Sequence, residues 1–150
     1  MVYPKFGEEK EIITQNVNLK KFEDFNIKPI IDPQKIIEMQ DFVKKIYLKE
    51  EIKDYIVKIV EATRNPKKYG ITFGKYMEWG ASPRASINLF IASKTEALFK
   101  KSCFVIPQHI KDVAHDVLRH RILLNYEGQA EGIKTDHIID EILSKIPLPQ

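Results

Sequence analysis

The sequence predicts an all-α protein, a small helical bundle with at most a minor hairpin. Three observations carry that prediction. Apolar residues recur at i, i+3, i+4, i+7 spacing in several separate stretches, which marks amphipathic helices. Some of these stretches open on a polar residue followed by proline, a favoured helix start. The period-two alternation of a half-buried strand is nearly absent.

The elements follow in order. Met1 to Phe6 reads as an extended lead-in. Glu8, Glu9 and Glu11 open a short helix through Ile12, Ile13 and Val17, with its acids at the positive end of the helix dipole. Asn26 to Ile31 is a link broken by Pro29. Asp32-Pro33 then starts a helix carrying Ile36, Met39, Val43 and Ile46, with Phe42 beside them. Lys49 to Arg64 holds Ile52, Tyr55, Ile56, Ile59 and Val60 at full helical spacing, and Asn65-Pro66 ends it. Between Lys67 and Trp79 two arrangements stay open: a small hairpin around Gly74-Lys75, or a helical turn in the second half.

Gly80-Ala81-Ser82-Pro83-Arg84-Ala85-Ser86 is the stretch around which the chain is organised. Ser82 is placed to cap a helix, and Pro83 suits its first position. Ile87, Phe90, Ile91 and Leu98 are expected to share its apolar face, and the helix runs to about Lys101. Pro107 starts the next helix, with Ile110, Val113, Ala114, Val117 and Leu118 on one side. It ends in Arg119-His120-Arg121, and Ile122-Leu123-Leu124 continues as an extended stretch. Gly128 and Gly132 bracket a polar loop. A last helix from Thr135-Asp136 carries Ile138, Ile139, Ile142, Leu143 and Ile146, and Pro147 and Pro149 stop it.

With 150 residues, 43% hydrophobic and 30% charged, the chain has the size and composition of one globular domain, residues 1–150. The net charge is only +3 and the signs are mixed, which argues against nucleic acid as a partner. No signal peptide or membrane span is legible, so a cytoplasmic location is expected. Cys103 is the sole cysteine, which leaves no intrachain disulfide and no thiolate metal cluster. It reads as a small buried or half-buried thiol.

The chemistry is sparse. Gly70 to Lys75 misses the phosphate-loop spacing, with three residues between its glycines and Tyr76 after the lysine. His109, His115, His120 and His137 form no metal-ligand pattern, and no metal site is expected. His109 and His115 read as exposed polar positions. Arg84 stands at a helix start, where a cation is mildly disfavoured by roughly 0.3–1 kcal/mol and where free N–H groups suit an anion, phosphate above all. The plain alternative is a solvated arginine. Arg119, His120 and Arg121 complement a helix C-terminus, or contact an anion or partner. Arg64, Arg84, Arg119 and Arg121 are the only arginines among plentiful lysines, which favours specific partners for them. Trp79 either stacks on a base or closes one side of a core.

Several segments in order resemble the C-terminal lid subdomain of MoxR-family AAA+ ATPases. They are Tyr3-Pro4 with Glu8-Glu9-Lys10-Glu11-Ile12, Val60 to Pro66, Gly80 to Ser86, Val117 to Arg121, and Asn125-Tyr126-Glu127 with Ala130-Glu131-Gly132. The resemblance implies a helical AAA+ lid whose ATP-binding α/β core is absent from this chain, and which is inactive alone. It implies ATP and Mg2+ as cofactors of the parent ATPase. Arg84 matches the sensor 2 arginine, with Ser82 and Pro83 beside it at the nucleotide phosphate. Its implied partners are its own AAA+ core, neighbouring subunits in a ring, and proteins carrying von Willebrand factor A domains, in chaperone-like remodelling. Departures from the pattern are local. Lys100 to Phe104 lacks the usual Gly-Arg-Asp. Ile106 replaces a capping Thr, at a cost of ~1 kcal/mol. Gln108-His109 replaces an acidic pair, and the Lys67–Trp79 link reads long. The alternatives from the residues alone are a helical nucleic-acid module and a protein-interaction bundle.

Overall fold

The structure is a computed structural model that describes residues 4–16 and 27–149. Val17, Asn26 and the start of the lead-in lie outside the described residues. The regular elements of the described residues are helical, apart from one pair of very short strands and an isolated bridge. It divides into two units, Met1–Ile36 and Ile37–Gln150.

The first unit contains α1 (Phe6–Asn16) and the start of α2 (Pro33–Lys45). At the head of α1 the Glu8 carboxylate accepts the Lys5 N–H at 2.8 Å. At the head of α2 the Asp32 carboxylate accepts the Lys35 N–H at 2.9 Å, the cap that Asp32-Pro33 predicts.

The second unit holds the rest of the fold. The part of α2 within it exposes Met39 and Phe42 and half-buries Val43. Ile46, just past the helix, is buried. Next, α3 (Glu50–Ala62) buries Ile52, Tyr55, Ile56, Ile59 and Val60, the set its periodicity predicts. Each such side chain contributes about 1.5–3 kcal/mol on burial.

The Lys67–Trp79 link adopts the helical alternative. Two 3₁₀ turns, Pro66–Tyr69 and Phe73–Tyr76, are separated by Gly70 in the left-handed region at φ 65°. The first is tied to α3, because Glu61 accepts hydrogen bonds from Lys68 at 2.8 Å and Tyr69 at 2.5 Å. The second is held by Glu141, which accepts the N–H groups of Thr72 and Phe73, both at 2.8 Å, and the Thr72 hydroxyl. Burial works to raise the pKa of Glu141, but these hydrogen bonds outweigh it and bring it below its ordinary value.

Met77–Trp79 is β1. Its partner is β2 (Leu123–Leu124), antiparallel, with Met77 opposite Leu124 and Trp79 opposite Leu123. No hairpin forms around Gly74-Lys75. The strand pairs across the fold instead, because Asn125 fastens the two ends. Its N–H donates to the Tyr76 carbonyl at 2.9 Å and its side-chain amide to the Lys75 carbonyl at 2.8 Å.

Then comes α4 (Arg84–Phe99), and here the predicted face is half right: Phe90 and Leu98 pack partly buried against the core, but the two isoleucines do not. Ile87 and Ile91 are exposed, and the buried line is Ala85, Leu89, Ser93 and Ala97 with Lys94. Apolar residues surround this helix, so periodicity alone does not choose a side. Small residues win because α4 packs chiefly against α5 (Pro107–Leu118), where Ala114 is also fully buried. At the head of α5, Ile106 provides no side-chain cap, and the His109 ring accepts the Ile106 N–H at a long 3.4 Å. His109 is therefore buried rather than exposed as expected.

Gly128 and Gly132 do not bracket a polar loop. Tyr126–Ala130 forms a short helix, α6, capped by the Asn125 carbonyl oxygen on the Gly128 N–H at 2.9 Å. Gly128 is buried against Tyr76, and a Cβ there would stand 2.9 Å from the Tyr76 Cβ. Last, α7 (Thr135–Lys145) buries Ile138, Ile139, Ile142 and Leu143 against α5 and α3. One continuous core thus runs through α3, α4, α5 and α7.

Candidate functional site

Arg84 sits on a segment that is fixed from behind. At the end of α3, the buried Thr63 hydroxyl donates to the Val60 carbonyl at 2.7 Å and accepts the Ala81 N–H at 2.9 Å. The next residue, Arg64, donates from its guanidinium to the Ala81 carbonyl at 2.8 Å. Both backbone groups of Ala81 are thus held by consecutive residues of α3's C-terminal turn. Gly80 makes the approach possible. A Cβ on it would lie 2.2 Å from the Thr63 carbonyl oxygen, closer than any real side chain sits. Val60 to Pro66 and Gly80 to Ser86, two separate motifs in the sequence, are therefore one physical joint.

From this joint the first turn of α4 starts. The Ser82 carbonyl accepts the Ala85 N–H at 2.8 Å, and the Pro83 carbonyl accepts the Ser86 N–H at 3.0 Å. Pro83 already has helical dihedrals, φ −55° and ψ −22°. The predicted Ser82 cap does not form: its hydroxyl makes no hydrogen bond among the described residues. Of the two N–H groups that a serine cap can take, that of Ala85 is held by the Ser82 carbonyl and that of Arg84 stays unpaired among the described residues. Of the first turn's N–H groups, only that of Arg84 is left without a partner among the described residues. An anion here would meet chiefly the Arg84 side chain, not a cradle of backbone donors.

The Arg84 side chain is exposed and makes no hydrogen bond or ion pair among the described residues. The other three arginines are engaged. Arg119 donates from Nε to Asp136 at 2.8 Å and from its terminal nitrogen to Asp116 at 3.4 Å. That hydrogen bond holds the Asp136 carboxyl below its usual range. Arg121 donates to the Val117 carbonyl at 2.9 Å, closing the C-terminus of α5. His120 is exposed, and His115 pairs with Asp140 at 2.9 Å. No hydrogen bond or ion pair joins Arg119, His120 or Arg121 to Ser82, Pro83 or Arg84 among the described residues.

Other candidates fall into place. Trp79 is 65% exposed, so it does not close a core. Cys103 is exposed rather than buried, because the turn from Lys101, with φ 58°, to Phe104 carries it on the surface. Lys75 lies 4.5 Å from the centroid of the Tyr76 ring, not in a phosphate loop. Among the described residues no three His, Cys, Asp or Glu side chains converge as a metal site would require, and no helix is long and apolar enough to cross a membrane. Sequence reasoning missed Thr63 and Gly80. The signal was the pair of motifs themselves, but nothing in one dimension brings residue 63 to residue 81.

Comparison with known proteins bears on the family and the fold. A family model of the AAA lid domain matches residues 74–142. The chaperone MoxR1 of Mycobacterium tuberculosis is 34% identical over 149 residues, which is 99% of this chain and 38% of that protein. The uncharacterized protein YeaC of Bacillus subtilis is 33% identical over 149 residues, 99% of this chain and 43% of that protein. The MoxR protein of Paracoccus denitrificans is 30% identical over 105 residues, 65% of this chain and 31% of that protein. The solved structure of a candidate ATPase from Cytophaga hutchinsonii superposes with a TM-score of 0.80 at 36% identity, over 100% of this chain and 45% of that one. The chain thus spans less than half the length of each of these relatives.

Proposed function

With this chain being a lid of the MoxR-related AAA+ type, we propose that it serves as the C-terminal lid of a parent ATPase and supplies Arg84 as the sensor 2 arginine. The observation that carries the proposal is the contrast among the arginines. Three are spent on contacts inside the domain, while Arg84, on a braced helix start, has no partner among the described residues.

The donor set fits a phosphate. Arg84 presents a planar fork of charged donors suited to phosphate oxygens, with one free backbone N–H beside it. ATP with Mg2+ supplies the transferable γ-phosphoryl group in the parent, and the remaining phosphate and metal contacts come from the α/β core outside this chain. Arg84 holds positive charge where negative charge gathers as that group transfers. Ser82 and Pro83 set the turn from which it reaches. The Thr63–Arg64–Ala81 joint then carries the state of that contact into α3 and α4, so the lid shifts when the γ-phosphate leaves. On this reading the parent works as a ring of subunits that remodels partner proteins, including those with von Willebrand factor A domains, in the cytoplasm. Arg119 serves first to hold the end of α5 to α7 and Arg121 to close α5, while the exposed His120 is left for a partner or anion.

The test is ATP turnover of the parent with Arg84 and with Arg84→Ala. Turnover is expected to fall ten-fold or more, roughly 1.4 kcal/mol of barrier, with thermal unfolding of the lid unchanged. Unchanged turnover would leave this domain a structural or partner-binding lid.

A further inference from the structure

Among the described residues, Lys94 is the only Lys, Arg, Asp or Glu that is buried, at 8% exposed. A buried ammonium is normally paired with a carboxylate. Lys94 has none within ion-pair distance among the described residues. Its Nζ donates to the Lys44 carbonyl at the C-terminal end of α2, at 2.8 Å, and stands 5.2 Å from the centroid of the Phe90 ring. The helix end offers a partial negative charge, about half an elementary charge, and one of the three ammonium donors is used. The nearby Lys44 side chain is already matched by Asp41 at 2.8 Å, so the charge left over is that of Lys94.

Lys94 lines a groove of about 450 Å³ between α2 and α4, with Gln40, Val43, Phe90, Ile91 and Thr95 around it. That volume is in the range of binding clefts. The groove opens on a ridge where Ile87 is 57% and Ile91 52% exposed, two residues one turn apart on α4. Lys94 thus brings a positive charge without a carboxylate partner among the described residues to a groove whose walls include Val43, Phe90 and Ile91 along with Lys44, which Asp41 already matches.

We infer that this groove receives an Asp or Glu side chain from a segment of another polypeptide, with large apolar residues on either side of the acid. The carboxylate meets the Lys94 ammonium, and the apolar neighbours cover Phe90, Ile91 and Ile87. Charge complementarity selects the acid. The apolar walls select a protein segment over a small free anion, which would want more donors than one ammonium. The inference does not rest on the role of Arg84.

Random ten-residue peptides displayed on phage test it, selected on the full chain and on its Lys94→Met and Ile91→Asp variants. The unaltered chain is expected to enrich peptides with Asp or Glu flanked by Leu, Ile, Phe or Met. The best peptide, made synthetically, should bind at least ten-fold more weakly when its acid becomes Gln or Asn. Lys94→Met should abolish that difference. Ile91→Asp, an exposed change that leaves the core intact, should abolish binding by like-charge repulsion, and it decides the matter if Lys94→Met fails to fold. The inference is overturned if no acid is enriched, if the acid preference survives both variants, or if butyrate alone or self-association of the chain accounts for the occupancy.

Discussion

Two corners of the molecule handle arginine in opposite ways. Where α5 meets α7, Arg119 is matched by Asp136 and Asp116, His115 by Asp140, and Arg121 by a helix-end carbonyl. Where α3 meets α4, Arg64 is matched by the Ala81 carbonyl, but Arg84, three residues on, is matched by nothing among the described residues. The first corner is closed chemistry, in which charge serves the fold. The second is rigid underneath and open above. A guanidinium left exposed on such a mount adds little to the stability of the domain.

The largest effect should come from Gly80→Ala. The added Cβ meets the Thr63 backbone, which cannot move without releasing Ala81. We expect a loss of about 3 kcal/mol or failure to fold, read by urea denaturation. A variant with unaltered stability would mean the joint is loose and Arg84 is not fixed. Thr63→Val comes next. It keeps the shape but strands the buried Ala81 N–H, at about 1–3 kcal/mol in the same assay.

Arg84→Ala reverses the pattern. The isolated lid should keep its stability within about 0.5 kcal/mol, as surface changes usually do, while the parent's turnover falls as set out above. A large stability loss would instead place Arg84 with the arginines that serve the fold.

The smallest effect is at the closed corner. Asp136 is held below its ordinary pKa by Arg119. Its contribution to stability is therefore present above the unfolded carboxylate pKa and lost as pH falls through the lower folded value. In Arg119→Ala the Asp136 titration, followed by NMR, should move up toward the ordinary range, and acid unfolding should become slightly less steep. A titration that does not move would show that the pair does not operate in solution. Solvent screening keeps any effect on overall stability small.

The helices were largely legible. Ile52 to Val60 and Ile138 to Leu143 state their buried faces in their spacing, and Asp32-Pro33 states its cap. The candidate site was legible only in part. Arg84 stood out by residue type and place, yet the expected Ser82 cap is replaced by a backbone contact, and the brace from Thr63 is invisible in sequence. Cys103 went the other way, expected buried or half-buried and found at the surface, and the exposure of Trp79 removes one of its two readings, that of closing a core.

The sequence by itself determined where the long helices form and that they form a bundle, because 3.6-residue periodicity, prolines and capping groups act over a few neighbouring residues, whereas the short helix α6 escaped it. Only the tertiary structure decided which side of α4 is buried, that β1 pairs with β2 rather than with its neighbour, and, among the described residues, that Lys94 lies buried without a carboxylate and that Arg84 is the arginine left without a partner. Those outcomes depend on contacts between residues such as Thr63 and Ala81, or Arg119 and Asp136. Packing density and hydrogen-bond matching choose such partners only once the helices are side by side.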